Sequence, residues 1–239
     1  MNFSNKLKLC TLKPARTQSP KPLAEILTTM EPKEITSNNV FYNNLESLIR
    51  LAKESLKLTE SQNTEFQKNL LNEKFENYDK SESSHLANAD WIILNSIFIS
   101  MFSHFEYKLF LYCKAIEKSN EFKIKLDNLS GSTLVKYLNY LNLVANIESA
   151  SKNTRNYQTL TLFQKVRNTL VHNGGIMITD INKKLESHEL YKFLKDKKVA
   201  MGGSLGIIRI TNVDFLKNFY LLCKGLCDEI ADEINKTFR

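Results

Sequence analysis

The residues most able to do chemistry stand close together just past the middle of the chain. Arg167, Asn168 and His172 fall within six positions, and Gly174 and Gly175 follow almost directly. Arginine can hold two phosphate oxygens through its planar fork of N–H donors, and histidine can exchange a proton near neutral pH. Such a pair has the means to cleave a phosphodiester without a metal ion.

The segment that carries this cluster has the period of an amphipathic helix. Phe163, Val166 and Leu170 recur at i, i+3 and i+7, which predicts a helix over about Tyr157 to His172 with one apolar face. Two glycines just after the last apolar position are a stop signal, since glycine accepts the left-handed backbone that ends a helix. The polar groups are therefore expected at a helix C-terminus.

The three side chains lie close together on this helix but do not form a closed triad. Asn168 and His172 are four residues apart and share a side of the helix. Arg167 precedes His172 by five, which turns it about 140° away, although its long stem can bend round. The alternative is that His172 is a last-turn cation favoured by the helix dipole and Arg167 a surface or ion-pairing residue.

The run Arg-Asn-Thr-Leu-Val-His at 167–172, followed by Asn-Gly-Gly, resembles the Arg-x4-6-His motif of the HEPN superfamily, in its form with a polar residue after the arginine. That superfamily consists of small helical domains, many of them metal-independent ribonucleases of toxin–antitoxin, abortive-infection and RNA-guided defence systems. The close match covers residues 167–175, and a looser one in helix order runs from about Asn38 to the C-terminus.

The resemblance implies a homodimer, in which two copies of the motif form one groove with two arginines and two histidines. His172 would move the 2′-OH or 5′-oxygen proton, Arg167 would hold the non-bridging oxygens, and Asn168 would orient the imidazole or the phosphate. RNA is the implied substrate, no cofactor is implied, and an antitoxin or defence-system protein is the further implied partner. One branch has tyrosine two residues after its histidine; Gly174 stands there in this chain, so that branch's nucleotidyltransferase antitoxin is not implied.

Composition is that of an ordinary globular protein with a basic surplus. The 239 residues carry a formal charge of +7, which suits an anionic partner such as RNA, although a solvated lysine-rich surface also explains it. Four cysteines and four histidines show no disulfide framework or metal-ligand spacing, so no metal site is expected. The apolar stretch Trp91 to Phe105 is too short to cross a bilayer, and no secretory signal is recognisable. We expect a cytoplasmic protein without a membrane partner.

Periodicity elsewhere predicts a mostly all-α fold, a bundle of four to five helices with a small β-hairpin before the C-terminal helix, and the resemblance implies that this bundle is HEPN-like. Residues 1–37 are predicted to be a flexible arm with one short helix over Pro22 to Met30, and residues 38–239 the helical domain. The predicted elements are a long helix or helical hairpin from Asn38 with a break or kink at Thr59 to Thr64, a hydrophobic helix over Ala87 to Ser119, short helices over Leu134 to Ala145 and Lys184 to Lys197, a hairpin over Val199 to Ile210, and a last helix over Asp214 to Lys236.

Two of these helices carry features that bear on the site. The first has a predicted apolar stripe of Leu45, Leu48, Leu51 and Leu58, and the hydrophobic helix is apolar nearly all round, which marks the centre of a bundle. Glu106 interrupts the apolar surface of the hydrophobic helix. The pair Phe105-Glu106 resembles a Phe-Glu element of the corresponding HEPN helix. Glu106 would then face the motif end and orient Arg167 or His172; the alternative is a surface carboxylate paired with a lysine.

Two functions besides the ribonuclease stay open. The chain could be a HEPN-fold RNA-binding or regulatory subunit with an inert motif, or a helical interaction module whose basic face contacts a protein. Cleavage abolished by His172→Ala, with folding intact, separates the enzyme from both. A binding module would depend on its lysines instead.

Overall fold

Six α-helices and one short hairpin make up the described part of the chain. The computed structural model describes residues 37–72, 80–178, 180 and 184–238, without the side chains of 69–72, 80–84, 86 and 87. In chain order the elements are α1 (Asn39–Asn72), α2 (Lys80–Ser119), α3 (Thr133–Asn139), α4 (Arg155–His172), α5 (Glu189–Asp196), β1 (Ala200–Gly202), β2 (Ile207–Arg209) and α6 (Val213–Thr237). The predicted class, mostly helical with a hairpin before the last helix, is confirmed. The predicted helix over Pro22 to Met30 lies outside the described residues.

Helix α2 forms the centre of the core, as its apolar sequence predicts. Its residues Phe98 and Phe102 are fully buried and meet aromatic rings from two other helices. Phe102 stacks on Phe219 of α6 with ring centroids 5.5 Å apart, and Phe98 lies 6.1 Å from Phe163 of α4. Burying one such side chain contributes about 1.5–3 kcal/mol. This aromatic cluster therefore fixes α4 and α6 against α2.

Helix α1 is continuous across Thr59–Thr64, so the predicted break is wrong. Thr59 is buried, and its hydroxyl has one hydrogen to donate to either of two acceptors, the Ser55 carbonyl at 2.8 Å or the Asp90 carboxylate of α2 at 2.5 Å. A threonine with these acceptors within its own helix and on a neighbouring helix can be buried without ending the helix. The polar patch therefore marks a contact between helices rather than an interruption.

The predicted apolar stripe of α1 is right at one end and wrong at the other. Leu45 is buried and Leu48 partly buried, but Leu51 and Leu58 are 54% and 60% exposed. The face that meets the core instead continues through Ile49 and later positions, because the helix advances 100° per residue. Leu51, three residues after Leu48, therefore lies on the solvent side of the helix.

The remaining predicted elements differ mainly at their ends. Helix α2 begins at Lys80 rather than Ala87. The predicted helix over Leu134 to Ala145 is α3 followed by a π-turn over Tyr140–Val144, and the one over Lys184 to Lys197 is a 3-10 turn over Leu185–Ser187 followed by α5. The hairpin is antiparallel, with Met201 opposite Ile208. Among the described residues no helix has the length and hydrophobicity needed to span a membrane.

Candidate active site

Helix α4 presents the motif at its C-terminal end and buries its opposite face in the core. Thr154 caps its start by accepting the Tyr157 N–H at 3.2 Å, a role that threonine favours. Phe163 and Val166 are buried, and the Phe163 ring lies 5.2 Å from that of Phe215 on α6. The motif residues are therefore held by a packed helix rather than by a loop, which gives them defined positions.

The glycine pair ends α4 directly after His172. Gly174 and Gly175 have φ angles of 59° and 84°, in the left-handed region that suits glycine. The Gly175 N–H donates to the Thr169 carbonyl at 2.9 Å, and that carbonyl also accepts the Asn173 N–H at 3.1 Å, which closes the last turn of the helix. The predicted stop signal is confirmed, and His172 is the last helical residue.

Arg167 is half-buried, and its neighbour Asn168 holds one terminal nitrogen of its guanidinium. Its Nη1 donates to Asn168 Oδ1 at 3.1 Å. Its Nε is shielded from solvent and has no hydrogen-bond partner among the described residues. An unpaired buried donor is unfavourable by about 1–3 kcal/mol. The part of the guanidinium that stays open to solvent can donate to an anion such as a phosphate.

Glu106 lies on α2 where the charge of Arg167 acts on it. Burial raises the pKa of its carboxyl, and the positive charge of Arg167 lowers it in turn. Within the described ranges Glu106 makes no ion pair or side-chain hydrogen bond, so it acts on Arg167 through space. The structure thus brings Glu106 near Arg167 as a half-buried carboxylate, not as a surface acid paired with a lysine.

His172 is exposed, and its imidazole has no hydrogen-bond partner in the part of the chain that the structure describes. Asn168 lies one turn earlier, but its amide oxygen accepts from Arg167 rather than meeting the imidazole. Arg167 and His172 are separated by about 7.5 Å along the helix and 140° around it. One chain therefore supplies an anion-binding edge and a free proton-transfer group without bringing them together.

Asn95 of α2 ties the end of the motif helix to the core, and sequence reasoning missed it. Its Nδ2 donates to the Ile208 carbonyl and its Oδ1 accepts from the Ile210 N–H, both at 3.1 Å. The N–H of the same Ile208 donates to the Gly175 carbonyl at 2.9 Å. The asparagine therefore holds strand β2, and β2 holds the segment that follows the glycine stop.

One sequence signal could have identified Asn95. It stands within the uncharged run 91–105, between apolar residues of the most hydrophobic helix. A side-chain amide at such a position is expected to be buried, and buried amides require hydrogen-bond partners. Its exposed fraction is 8%. The partner strand, however, lies more than 100 residues away in the sequence, which the helix pattern does not reveal.

The described residues include no group of three or more His, Cys, Asp or Glu side chains that could hold a metal ion. The family models, the curated proteins and the solved structures with which the chain was compared gave no match. Of the predicted site residues, the structure brings Arg167, Asn168 and Glu106 together and places His172 apart, on the exposed end of the same helix.

Proposed function

We propose that this chain is a metal-independent endoribonuclease of the HEPN type, which cleaves RNA by transesterification through the 2′-OH. The observation that carries the proposal is the half-buried guanidinium of Arg167, which makes no ion pair among the described residues, on the helix that ends at His172. A shielded guanidinium binds phosphate more strongly than one surrounded by water. The formal charge of +7 adds general attraction to RNA.

In the proposed reaction the 2′-oxygen attacks the adjacent phosphorus, and the 5′-oxygen of the next nucleotide leaves. One imidazole accepts the 2′-OH proton, and a second imidazole protonates the leaving 5′-oxygen. Arg167 holds the non-bridging oxygens and stabilises the negative charge that grows on them in the pentacoordinate transition state. The products are a 2′,3′-cyclic phosphate and a 5′-OH, and DNA is not cut because it lacks the 2′-OH.

Asn168 and Glu106 support this reaction by positioning Arg167. The Asn168 amide oxygen accepts from Nη1 and holds the guanidinium in one orientation, with its solvent-open part left for phosphate. The Glu106 carboxyl and the Arg167 guanidinium attract each other, since the charge of Arg167 lowers the pKa of that carboxyl. Neither side chain needs to touch the RNA in this scheme.

A second copy of the chain supplies the second imidazole. His172 is the exposed histidine at this end of α4, whereas the proposed reaction needs both a base and an acid. Helix α2 offers a face for the second copy, because residues 91–105 include no charged side chain. Several of them are nevertheless exposed, and with Tyr107 they form a face of three serines between two larger side chains, beside the exposed His104: Ile92, Ser96, Ser100, Ser103 and Tyr107.

This α2 face is suited to close helix packing beside the site. The hydroxyls of Ser96, Ser100 and Ser103 donate to the carbonyls four residues earlier, at 2.8, 3.1 and 3.0 Å. The three serines therefore present small side chains whose hydroxyl donors are already used. Ser103 and Glu106 are three residues apart and hence neighbours on the helix. A copy docked on this face would lie next to the carboxylate that acts on Arg167.

Cleavage of a labelled single-stranded RNA in EDTA tests the proposal. The variants are Arg167→Ala and His172→Ala, and the matched control is His85→Ala, an exposed histidine about 30 Å along α2 from Glu106. We expect the control to cleave like the wild type and each motif variant to be at least ~100-fold slower. Equal cleavage by His172→Ala and the wild type would refute the proposal. A bacterial toxin or anti-phage role, with an antitoxin or defence-system partner, is supported by the motif resemblance alone.

A non-catalytic RNA-binding subunit is the second candidate. It is favoured by the lack of an orienting hydrogen bond on the His172 imidazole among the described residues. Such a protein would bind RNA without cutting it. Arg167→Ala would then weaken binding, and His172→Ala would leave the affinity unchanged.

A further inference from the structure

A second arginine outside the motif has a fixed and unpaired guanidinium. Arg209 ends strand β2, and its guanidinium carbon lies 5.4 Å from the centroid of the Trp91 ring on α2. Its Nε is shielded from solvent without a hydrogen-bond partner, and no carboxylate of the described residues pairs with it. The face of an aromatic ring attracts a cation, so Trp91 stabilises the guanidinium without an acid beside it.

The hairpin leaves the space in which this guanidinium lies. A Cβ on Gly202 of β1 would come within 3.1 Å of the Cζ and Nε atoms of Arg209, which is closer than side chains normally pack. Glycine at this position therefore lets the guanidinium lie against the strand, while Trp91 covers another side. Arg209 is still only half-buried, so its side chain remains partly open to solvent.

Strand β2 also connects this arginine to the end of the motif helix. The Ile208 N–H, one residue before Arg209, donates to the Gly175 carbonyl at 2.9 Å, and Ile176 bridges to Ile207. Gly175 is three residues beyond His172. Cross-strand and chain spacings then limit the distance between the Cα atoms of Arg209 and His172 to roughly 20 Å. One RNA strand of a few nucleotides spans such a distance.

We propose that Arg209 is a second phosphate-binding residue, which holds the RNA strand beside the cleavage site. This inference rests on the proposed function. The planar fork of arginine matches two oxygens of a phosphodiester, and Trp91 with Gly202 fixes the plane of that fork. A carboxylate of a protein partner has a similar shape, but the net charge of +7 favours a polyanionic strand.

The test measures RNA binding separately from cleavage. Each change is made in the His172→Ala protein, which keeps the RNA intact, and a fluorescein-labelled single-stranded RNA is titrated by anisotropy at several salt concentrations. Arg209→Ala should weaken binding roughly tenfold and lower the slope of log K against log salt by about 0.7, the value for one phosphate contact on a single strand. Arg209→Lys, which keeps the charge but loses the fork, should bind several-fold more weakly with an unchanged slope.

The matched control is Arg155→Ala, which removes the same charge about 25 Å along α4 from His172. It should change the affinity less than Arg209→Ala does, and thermal melting checks that each variant is folded. The inference would be overturned if Arg209→Ala left the affinity and the salt slope unchanged, or if both arginine variants lost the same affinity. Neither result would bear on whether the wild type cleaves RNA. RNA that is bound through Arg209 but never cut by the wild type would support the inference and refute the nuclease. A protein that binds no RNA would refute both.

Discussion

Replacing Asn95 with alanine should destabilise the protein strongly, although Asn95 takes no part in the proposed chemistry. Its amide makes two hydrogen bonds of 3.1 Å, to the Ile208 carbonyl and from the Ile210 N–H. Both isoleucines are fully buried, so water has no access to replace the lost partners. Each backbone group left unpaired is unfavourable by about 1–3 kcal/mol, and we expect the free energy of unfolding to fall by about 2–5 kcal/mol.

Urea denaturation followed by circular dichroism measures this change. Asn218→Ala is the matched control, since its amide also makes two hydrogen bonds, to the Asp214 carbonyl at 2.6 Å and from Lys197 at 3.2 Å, but in a partly exposed setting. There water can substitute, and a loss below about 1 kcal/mol is expected. Equal losses at the two asparagines, or a loss below about 1 kcal/mol for Asn95→Ala, would refute the claim that Asn95 clamps strand β2.

Three further changes test the helix end, the carboxylate and the proposed interface. Gly225 lies inside α6 with open space around it, so Gly225→Ala should stabilise the fold by about 0.5–1 kcal/mol. Gly175 has a φ of 84°, so Gly175→Ala should destabilise the fold by about 1–2 kcal/mol. Melting temperatures that shift in the same direction for both variants would contradict the assigned backbone. Because burial raises the pKa of Glu106 above 4.5, its contribution to stability is present below about pH 4.5 and is lost as the pH rises through the raised pKa. Glu106→Gln should therefore match the wild type in unfolding free energy near pH 4 and exceed it at pH 7. RNA cleavage should fall, because Arg167 loses its neighbouring carboxylate. A stability difference that does not change with pH would contradict a raised pKa of Glu106 as its cause. Ser100→Arg puts a charge on the uncharged face of α2 and should give folded monomers by light scattering with reduced cleavage, and a dimer that persists would place the interface elsewhere.

Hydrophobic period alone predicts much of this fold. The apolar run of α2 predicts a central helix, and Phe98 and Phe102 are indeed fully buried. The spacing of Phe163 and Val166, together with the glycine pair, predicts both the buried face and the end of α4. These predictions succeed because they depend on residues within one or two turns of each other.

Features that depend on partners distant in sequence escape such patterns. The continuity of α1 through Thr59 depends on Asp90 of another helix, and the exposure of Leu51 depends on which face of α1 the core occupies. The role of Asn95 depends on β2, which lies more than 100 residues away in the sequence and meets Asn95 only in the folded chain. For the same reason the sequence could name Arg167 and His172 as candidates but could not show that Asn168 pairs with the arginine.

The most direct test of the proposed chemistry is an RNA in which a single nucleotide, the one 5′ to the cleaved bond, lacks its 2′-OH. We expect the wild-type protein in EDTA to cut the all-ribose RNA there and to leave 2′,3′-cyclic phosphate and 5′-OH ends. The substituted RNA should stay intact at that position while binding equally well, because the attacking 2′-oxygen is missing. Cleavage of the deoxy-substituted bond, or products with a 5′-phosphate, would contradict transesterification through Arg167 and His172.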